Sequence, residues 1–136
     1  MGKGVINILI VEDDLIIAKM HRFGIESLPG TQADTCRNGK EALEFLLGQQ
    51  APFLVLLDLN MPEMNGWEFL EACKREGLCE QIKVIIVTSS LYRADREKAR
   101  QYEQVTGFYS KPLTRSNIGE IVAMARKDDL FRQGVV

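Results

Sequence analysis

Phe53-Leu54-Val55-Leu56-Leu57-Asp58 is an unbroken apolar run that ends in a carboxylate, near the middle of a chain of 136 residues. An apolar run without alternating polar positions is typical of a β-strand that is covered on both faces. Strands of this kind occupy the centre of a parallel sheet. The segment therefore predicts a parallel sheet with helices on both sides, and it places Asp58 at the carboxyl end of a central strand.

Four further segments predict strands. Val5 to Val11 and Lys83 to Val87 are almost continuously apolar, so they are also expected in the centre of the sheet. Gln32 to Cys36 and Gly107 to Ser110 are shorter and more polar, which favours edge positions. The sequence thus predicts a sheet of five strands.

A helix is predicted after each strand, from apolar residues that recur every three or four positions. The segment Arg93 to Tyr102 has only Ala94, Ala99 and Tyr102 as apolar anchors, so its helix is expected to be the least buried and the mobile one. The residues that carry the other four patterns are Ile17, Met20 and Leu28; Ala42, Leu43, Leu46 and Leu47; Gly66, Phe69, Leu70 and Cys73; and Ile118, Ile121, Val122 and Ala125.

The regular alternation of strand and helix predicts right-handed crossovers and a three-layer α/β domain. With the first, third and fourth strands central and the second and fifth at the edges, the strand order is 2-1-3-4-5. This is the doubly wound, flavodoxin-like (βα)5 arrangement, in which ligands bind beyond the carboxyl ends of strands one and three.

The composition, with 46% hydrophobic and 26% charged residues, fits one globular domain. We expect a single domain over residues 1–136, with a core of about 5–127, a short tail over 128–136 and no output domain. A formal net charge of −2 without a basic stripe argues against nucleic-acid binding. No apolar run approaches the roughly 20 residues of a membrane span, and Met1 to Gly4 do not introduce a signal peptide. Cys36, Cys73 and Cys79 suit reduced thiols, so a cytoplasmic protein is expected.

Polar side chains follow four of the predicted strands, at the rim where ligands are expected. Carboxylates gathered on one rim repel each other unless they are protonated or joined by a cation, and an all-oxygen cluster suits Mg²⁺. Asp14 is expected to cap the helix that follows it. The other residues at this rim are Glu12 and Asp13 after the first strand, Asp58 after the third, Thr88 at the end of the fourth and Lys111 after the fifth.

The loop Asp58-Leu59-Asn60-Met61-Pro62-Glu63-Met64-Asn65-Gly66 resembles the phosphoacceptor loop of the response-regulator receiver domains of bacterial two-component systems. The resemblance covers nearly the whole chain, with the motifs in family order. The acidic pair of the family matches Glu12 and Asp13, its hydroxyl residue matches Thr88, and its Lys-Pro pair matches Lys111-Pro112.

This resemblance implies that Asp58 accepts a phosphoryl group from the phosphohistidine of a sensor histidine kinase or a phosphotransfer protein. It implies Mg²⁺ held by Asp13, Asp58 and the backbone carbonyl of Asn60, with Glu12 acting through a water molecule. Lys111 would neutralise another phosphoryl oxygen. The chain would catalyse only its own phosphorylation and dephosphorylation, and would not be an enzyme that acts on external substrates.

The resemblance also implies a two-state switch. The Thr88 hydroxyl would move to donate to the new phosphoryl oxygen, and the aromatic residue three positions before the lysine, Phe108, would swing inward. Whether Tyr109 carries this motion instead is left open. The surface formed by the fourth helix, fifth strand and fifth helix would then contact a downstream protein, and a homodimer through the same surface is left open.

The sequence also makes predictions for His21 and Pro112. His21 is the sole histidine and has no obvious ligand partner, so it is expected at the surface. Pro112, directly after Lys111, suggests a cis peptide that aims the lysine side chain inward.

Three other functions compete with the signalling interpretation. A Mg²⁺-dependent phosphohydrolase could also use an aspartyl nucleophile, but Asn60 stands where such enzymes generally carry a second acid. A flavin-binding module would need a hydroxyl-rich or glycine-rich loop after the first strand, and Glu12-Asp13-Asp14 has the wrong charge for phosphate. A degenerate receiver that only docks to partners is disfavoured by the complete set of rim residues.

Overall fold

The computed structural model describes residues 4–90 and 92–132, in which strands and helices alternate. Short 3₁₀ turns follow α3 and α5, at Cys79–Gln81 and Asp129–Arg132. The main elements are β1 (Ile6–Val11), α1 (Leu15–Glu26), β2 (Thr31–Cys36), α2 (Gly39–Leu47), β3 (Phe53–Leu57), α3 (Gly66–Arg75), β4 (Ile82–Thr88), α4 (Arg93–Ala99), β5 (Val105–Ser110) and α5 (Arg115–Lys127).

The five strands form one parallel sheet in the order β2-β1-β3-β4-β5, which confirms the predicted topology. Val11 pairs with Leu57, and Leu57 pairs with Ile86, so the central strands end at nearly the same level. The residues that follow β1 and β3 consequently emerge side by side on one rim.

Both faces of the sheet are buried, which explains why the central strands read as continuous apolar runs. Along β3 every residue is buried, and successive side chains point to opposite faces. Leu57 packs in the cluster that includes residues of α2 and α3, whereas Leu56 packs in the cluster that includes residues of α1 and α5. The three-layer architecture follows from this double burial.

The buried face of α1 differs from the predicted one. Ala18, His21 and Ile25 are its buried residues, at the spacing of one helical face. Met20 lies two positions from Ala18, roughly on the opposite side of the helix, and is 51% exposed. Leu28 lies beyond the end of the helix at Glu26. The expectation that His21 is a surface residue was wrong, since its side chain is only 2% exposed.

The helix α4 is the least buried of the five, as predicted, with Ala99 as its only buried residue. It ends at Ala99, earlier than the predicted Tyr102. Tyr102 is nevertheless buried, and its ring stacks on Trp67 with 6.0 Å between ring centroids. Few apolar contacts of its own therefore hold α4 against the sheet.

Several element boundaries differ from the predicted ones by one or two residues. Among the strands the largest shift is in β5, which begins at Val105 and not at Gly107. Its pairing with β4 has an irregularity between Val84 and Ile85, which the sequence pattern does not reveal.

The two ends of the chain complete the description. Phe131 is buried against the core, although it lies in the segment expected to be a tail. The rest of that expected tail, residues 133–136, and residues 1–3 of the segment examined for a signal peptide lie outside the described residues. Within residues 4–90 and 92–132, no helix has the length and apolar character needed to cross a membrane.

The start of α3 packs very closely against the end of β3, so we expect position 66 to require glycine. A Cβ added at Gly66 would lie 2.7 Å from the backbone oxygen of Asp58 and 2.9 Å from the Cα of Leu59. We expect Gly66→Ala to lower the free energy of unfolding in urea by about 1–3 kcal/mol, because the backbone must shift.

Gly119→Ala in α5 is the matched control, because no atom lies within 4 Å of its added Cβ. It should raise the free energy of unfolding by about 0.5–1 kcal/mol through helix propensity. Equal stability of the two variants would contradict the close approach at Gly66.

Candidate functional site

The ends of β1 and β3 bring three carboxylates together. The Asp58 backbone N–H donates to the Val11 carbonyl at 3.1 Å, which aligns the two strand ends. Glu12, Asp13 and Asp58 each offer a carboxylate oxygen, and these oxygens all lie within 4.8 Å of one another. Glu12 and Asp58 are buried and Asp13 is exposed, so the cluster opens to solvent on the Asp13 side.

Lys111 enters the same site from the end of β5. Its Nζ lies 2.9 and 3.0 Å from the two carboxylate oxygens of Glu12 and 3.0 Å from Oδ2 of Asp58. Its backbone N–H donates to the Thr88 carbonyl at 3.1 Å, and the peptide bond to Pro112 is cis, as expected. One ammonium group therefore bridges two buried carboxylates.

The burial of these charges shifts their pKa values. Burial raises the pKa of Glu12, and the negative charge of Asp58 adds to this rise, while hydrogen bonds from Lys111 and from the Asp14 backbone N–H oppose it. Burial alone would lower the pKa of Lys111, but the hydrogen bonds to Glu12 and Asp58 outweigh it and raise the pKa. The lysine is accordingly held as a cation inside the site.

Asp14 caps α1, as predicted. Its carboxylate accepts hydrogen bonds from the backbone N–H groups of Ile16 and Ile17 at 3.0 and 3.2 Å. Its own backbone N–H donates to Oε2 of Glu12 at 3.1 Å. The helix start thus also orients the Glu12 carboxylate.

The loop after Asp58 is fixed by local hydrogen bonds. The Asn60 backbone N–H approaches Oδ1 of Asp58 at 3.4 Å, and the Gly66 N–H donates to the Leu59 carbonyl at 3.0 Å. Asn65 and Glu68 form a reciprocal capping box at the start of α3. These bonds explain why the sequence Asn65-Gly66 ends the loop and begins a helix.

Thr88 lies on β4, the strand next to β3, and Phe108 lies on β5 at the edge of the sheet. Thr88 is fully buried, and its Oγ1 accepts a hydrogen bond from the Ser90 backbone N–H at 3.2 Å. Phe108 is half-buried, and the Arg96 guanidinium of α4 lies 5.2 Å from its ring centroid. Tyr109 points to the other face, where its hydroxyl donates to Glu120 of α5 at 3.2 Å. Phe108 is thus the aromatic residue that contacts α4.

The carboxylate cluster has the donor set of a hard divalent cation. All three groups offer oxygen, and Mg²⁺ prefers oxygen ligands in an octahedron with about 2.0–2.1 Å to each ligand. The oxygens of such an octahedron are about 3–4 Å apart, so the observed separations within 4.8 Å need only a small contraction. Glu12, Asp13 and Asp58 therefore fit a magnesium ion.

Sequence reasoning missed one residue close to this site. Nε2 of His21 accepts a hydrogen bond from the Leu113 backbone N–H at 2.9 Å, in the segment that follows Lys111. The signal was present in the helical spacing, because His21 lies three positions after Ala18 and four before Ile25. A helix register that started from Ala18 would have predicted its burial.

The chain is similar to a known protein family and to individual proteins. The family model described as the response regulator receiver domain matches residues 8–123. The polar-differentiation response regulator DivK of Brucella anthropi is 34% identical over 108 residues, which cover 79% of this chain and 85% of that protein. A protein-glutamate methylesterase/protein-glutamine glutaminase of Treponema denticola is 39% identical over 85 residues, which cover 62% of this chain and 22% of that protein.

Solved structures agree in fold. A two-component response regulator from Cytophaga hutchinsonii superimposes with a TM-score of 0.80 at 24% identity, covering 93% of this chain and 100% of that one. A chemotaxis protein of Vibrio cholerae superimposes with a TM-score of 0.77 at 21% identity, covering 89% of this chain and 98% of that one. At these identities the likeness supports the architecture of the sheet and helices.

Proposed function

This chain belongs to the response regulator receiver domain family, the phosphoacceptor signalling domains of two-component systems, and we propose that Asp58 is its phosphoacceptor. One observation carries the proposal. The Lys111 ammonium lies 3.0 Å from Oδ2 of Asp58, while the Asp13 and Glu12 carboxylates approach Asp58 from the neighbouring strand. A nucleophilic carboxylate with a cation on one side and an oxygen-rich metal site on the other suits phosphoryl transfer.

The reaction needs positioning and charge neutralisation more than covalent help from the protein. A carboxylate oxygen of Asp58 forms the new bond to phosphorus, and the bond from phosphorus to the imidazole nitrogen of the donor breaks, with its electron pair returning to the ring. Lys111 neutralises a phosphoryl oxygen as this happens. The donor is a sensor histidine kinase or a phosphotransfer protein.

We assign the metal site to Asp13, Asp58 and the backbone carbonyl of Asn60, with Glu12 acting through water. When bound, Mg²⁺ would offset the negative charge that accumulates on the phosphoryl oxygens. Asp13 is the exposed member of the cluster, so it faces the direction from which an ion and a donor would enter.

The proposed output is a change at the surface formed by α4, β5 and α5. Thr88 moves toward the phosphoryl group, and Phe108 moves inward from its place beside Arg96. The weak burial of α4 supports this, because few apolar contacts oppose its displacement. The same surface would contact a downstream protein, or a second copy of this chain.

We further propose that the receiver core spans about residues 5–127, which the family match over residues 8–123 supports. A cytoplasmic location is supported by Cys36, Cys73 and Cys79, all of which are free thiols. The chain would catalyse only its own phosphorylation and dephosphorylation.

Labelling with a small phosphodonor tests the metal site. With acetyl phosphate and Mg²⁺ the protein should gain the mass of one phosphoryl group, and chelation by EDTA should prevent it. Asp13→Asn should raise the Mg²⁺ concentration for half-maximal labelling by at least about tenfold, since even the loss of a group that only supports a ligand costs that much.

Asp14→Asn is the matched control, because asparagine caps a helix as well as aspartate and the substitution removes the same charge one residue away. Its Mg²⁺ requirement should match that of the wild type. Labelling that persists in EDTA, or equal shifts in the two variants, would contradict the metal assignment.

A further inference from the structure

A buried histidine ties the first helix to the segment that carries the site lysine. His21 lies on α1 with 2% of its side chain exposed, and its Nε2 accepts the Leu113 backbone N–H at 2.9 Å. Leu113 is itself buried and comes two residues after Lys111. The bond therefore joins two elements that are distant along the chain.

The direction of the hydrogen bond from Leu113 determines the protonation state of the His21 imidazole. A backbone N–H can only donate, so Nε2 of His21 carries no proton and the neutral ring is protonated on Nδ1. Burial lowers the pKa of His21, and the nearby Lys111 ammonium lowers it further. The neutral acceptor form is thus the favoured one.

An apolar residue would be the ordinary occupant of this helix face, beside Ala18 and Ile25. Such a residue would leave the buried Leu113 N–H without an acceptor, which is unfavourable in a protein interior. Pro112 has no N–H to offer. The Leu113 N–H is consequently the first donor of the segment after Lys111.

The segment Lys111-Pro112-Leu113 is held at both ends by hydrogen bonds that its backbone N–H groups donate. The Lys111 N–H donates to the Thr88 carbonyl of β4 at 3.1 Å, and the Leu113 N–H donates to His21 of α1 at 2.9 Å. Between these two points the side chain of Lys111 reaches Glu12 and Asp58 with contacts of 2.9 to 3.0 Å. Hydrogen bonds of this length do not survive a displacement of about 1 Å.

We propose that His21 is a positioning residue for phosphoryl transfer, which holds the segment Lys111-Pro112-Leu113 so that the Lys111 ammonium meets Asp58. This inference rests on the proposed roles of Asp58 and Lys111. His21 itself acts only through the backbone of Leu113 and touches no reacting atom.

Two substitutions separate the hydrogen bond from the packing. His21→Gln keeps a neutral acceptor, because the side-chain carbonyl oxygen can reach about the position of Nε2. His21→Leu keeps a buried side chain of similar size without an acceptor. We expect labelling by acetyl phosphate at saturating Mg²⁺ to be roughly tenfold slower for the Leu variant, and within about twofold of the wild type for the Gln variant.

A second readout does not depend on phosphoryl transfer. Lys111 is 12% exposed and paired with two carboxylates, so its amine should react slowly with an acylating reagent. His21→Leu should speed acylation of Lys111 severalfold, as followed by peptide mass spectrometry, and His21→Gln should not. Far-UV circular dichroism checks the fold. If the Leu variant does not fold, His21→Asn replaces it, because its amide is too short to reach Leu113.

The outcomes discriminate between the two proposals. If the Leu variant matches the wild type in labelling and in Lys111 acylation, the positioning role is wrong. If the Gln and Leu variants are equally slow, packing and not the hydrogen bond matters, and the inference also fails. If the wild type is not labelled at all, the proposed function fails, and Lys111 acylation alone decides whether His21 holds the segment.

Discussion

Asp58→Asn should gain no phosphoryl mass from acetyl phosphate under conditions in which the wild type gains one. The amide preserves the size of the side chain and can still accept the Asn60 N–H, so the loop is expected to keep its shape. It removes the anionic oxygen that forms the bond to phosphorus, and it removes the charge that pairs with Lys111. Intact-protein mass spectrometry in the presence of Mg²⁺ measures the result.

Asp129→Asn is the control for this experiment, since that carboxylate is fully exposed in the turn after α5 and lies outside the proposed site. It should label like the wild type. Residual labelling of the Asp58→Asn variant would show that another group accepts the phosphoryl, and peptide mapping would then test the neighbouring Asp13. Steady turnover of an external phosphate ester by the wild type would instead favour a phosphohydrolase.

The architecture could be predicted from the sequence because burial on both faces leaves a clear pattern. Phe53 to Leu57 has no polar position, and the structure buries all of these residues. The levels of the strand ends then follow from parallel pairing, so the proximity of Asp13 and Asp58 was within reach of sequence reasoning. Hydrophobic patterns as strong as this one can be interpreted without knowledge of tertiary contacts.

Other features depend on tertiary contacts that no local pattern encodes. The prediction that His21 lies at the surface was wrong, because His21 is on the helical face of Ala18 and Ile25, which packs against the core. The early start of β5 depends on an irregularity in its pairing with β4. The bridge from Lys111 to both Glu12 and Asp58 depends on where the segment after β5 turns, which the His21 bond helps to set.

Alternation along β5 explains why Phe108 and Tyr109 could not be distinguished from the sequence. Adjacent strand residues point to opposite faces, so one of the two had to face α4 and the other α5. The edge strand is half-buried on both faces, and both aromatic residues are partly buried. The sequence of the strand therefore does not show which of the two faces α4. The contact between Arg96 and Phe108 provides the missing information.

Lys111→Met should slow phosphoryl labelling by roughly 10²–10³-fold, the loss found when one preorganised charge-stabilising donor is removed. Methionine keeps much of the length and the apolar stem of lysine but cannot neutralise a phosphoryl oxygen. Because the ammonium competes with a metal ion for Glu12 and Asp58, its loss should strengthen Mg²⁺ binding. The slower labelling should therefore persist at saturating Mg²⁺, while the Mg²⁺ concentration for half-maximal labelling should fall.

The same substitution should have a large effect on stability without metal. Glu12 and Asp58 are 3% and 2% exposed, and they would lose their shared cation. Breaking a buried ion pair on one side costs about 3–5 kcal/mol. Because its pKa is already raised, Glu12 can take up a proton and relieve part of this cost. Urea unfolding in EDTA should show the loss that remains after this relief, and added Mg²⁺ should recover much of it because the folded variant binds the ion more tightly than the folded wild type.

Lys40→Met provides the control, since Lys40 is an exposed residue of α2. Its free energy of unfolding should stay within about 0.5 kcal/mol of the wild-type value, and its labelling should be unchanged. A Lys111→Met variant that labels at the wild-type rate would show that the ammonium group has no role in the reaction. A variant that loses the same amount of stability with and without Mg²⁺ would show that its Mg²⁺ affinity is unchanged, which would contradict the competition between the ammonium and the metal ion for Glu12 and Asp58.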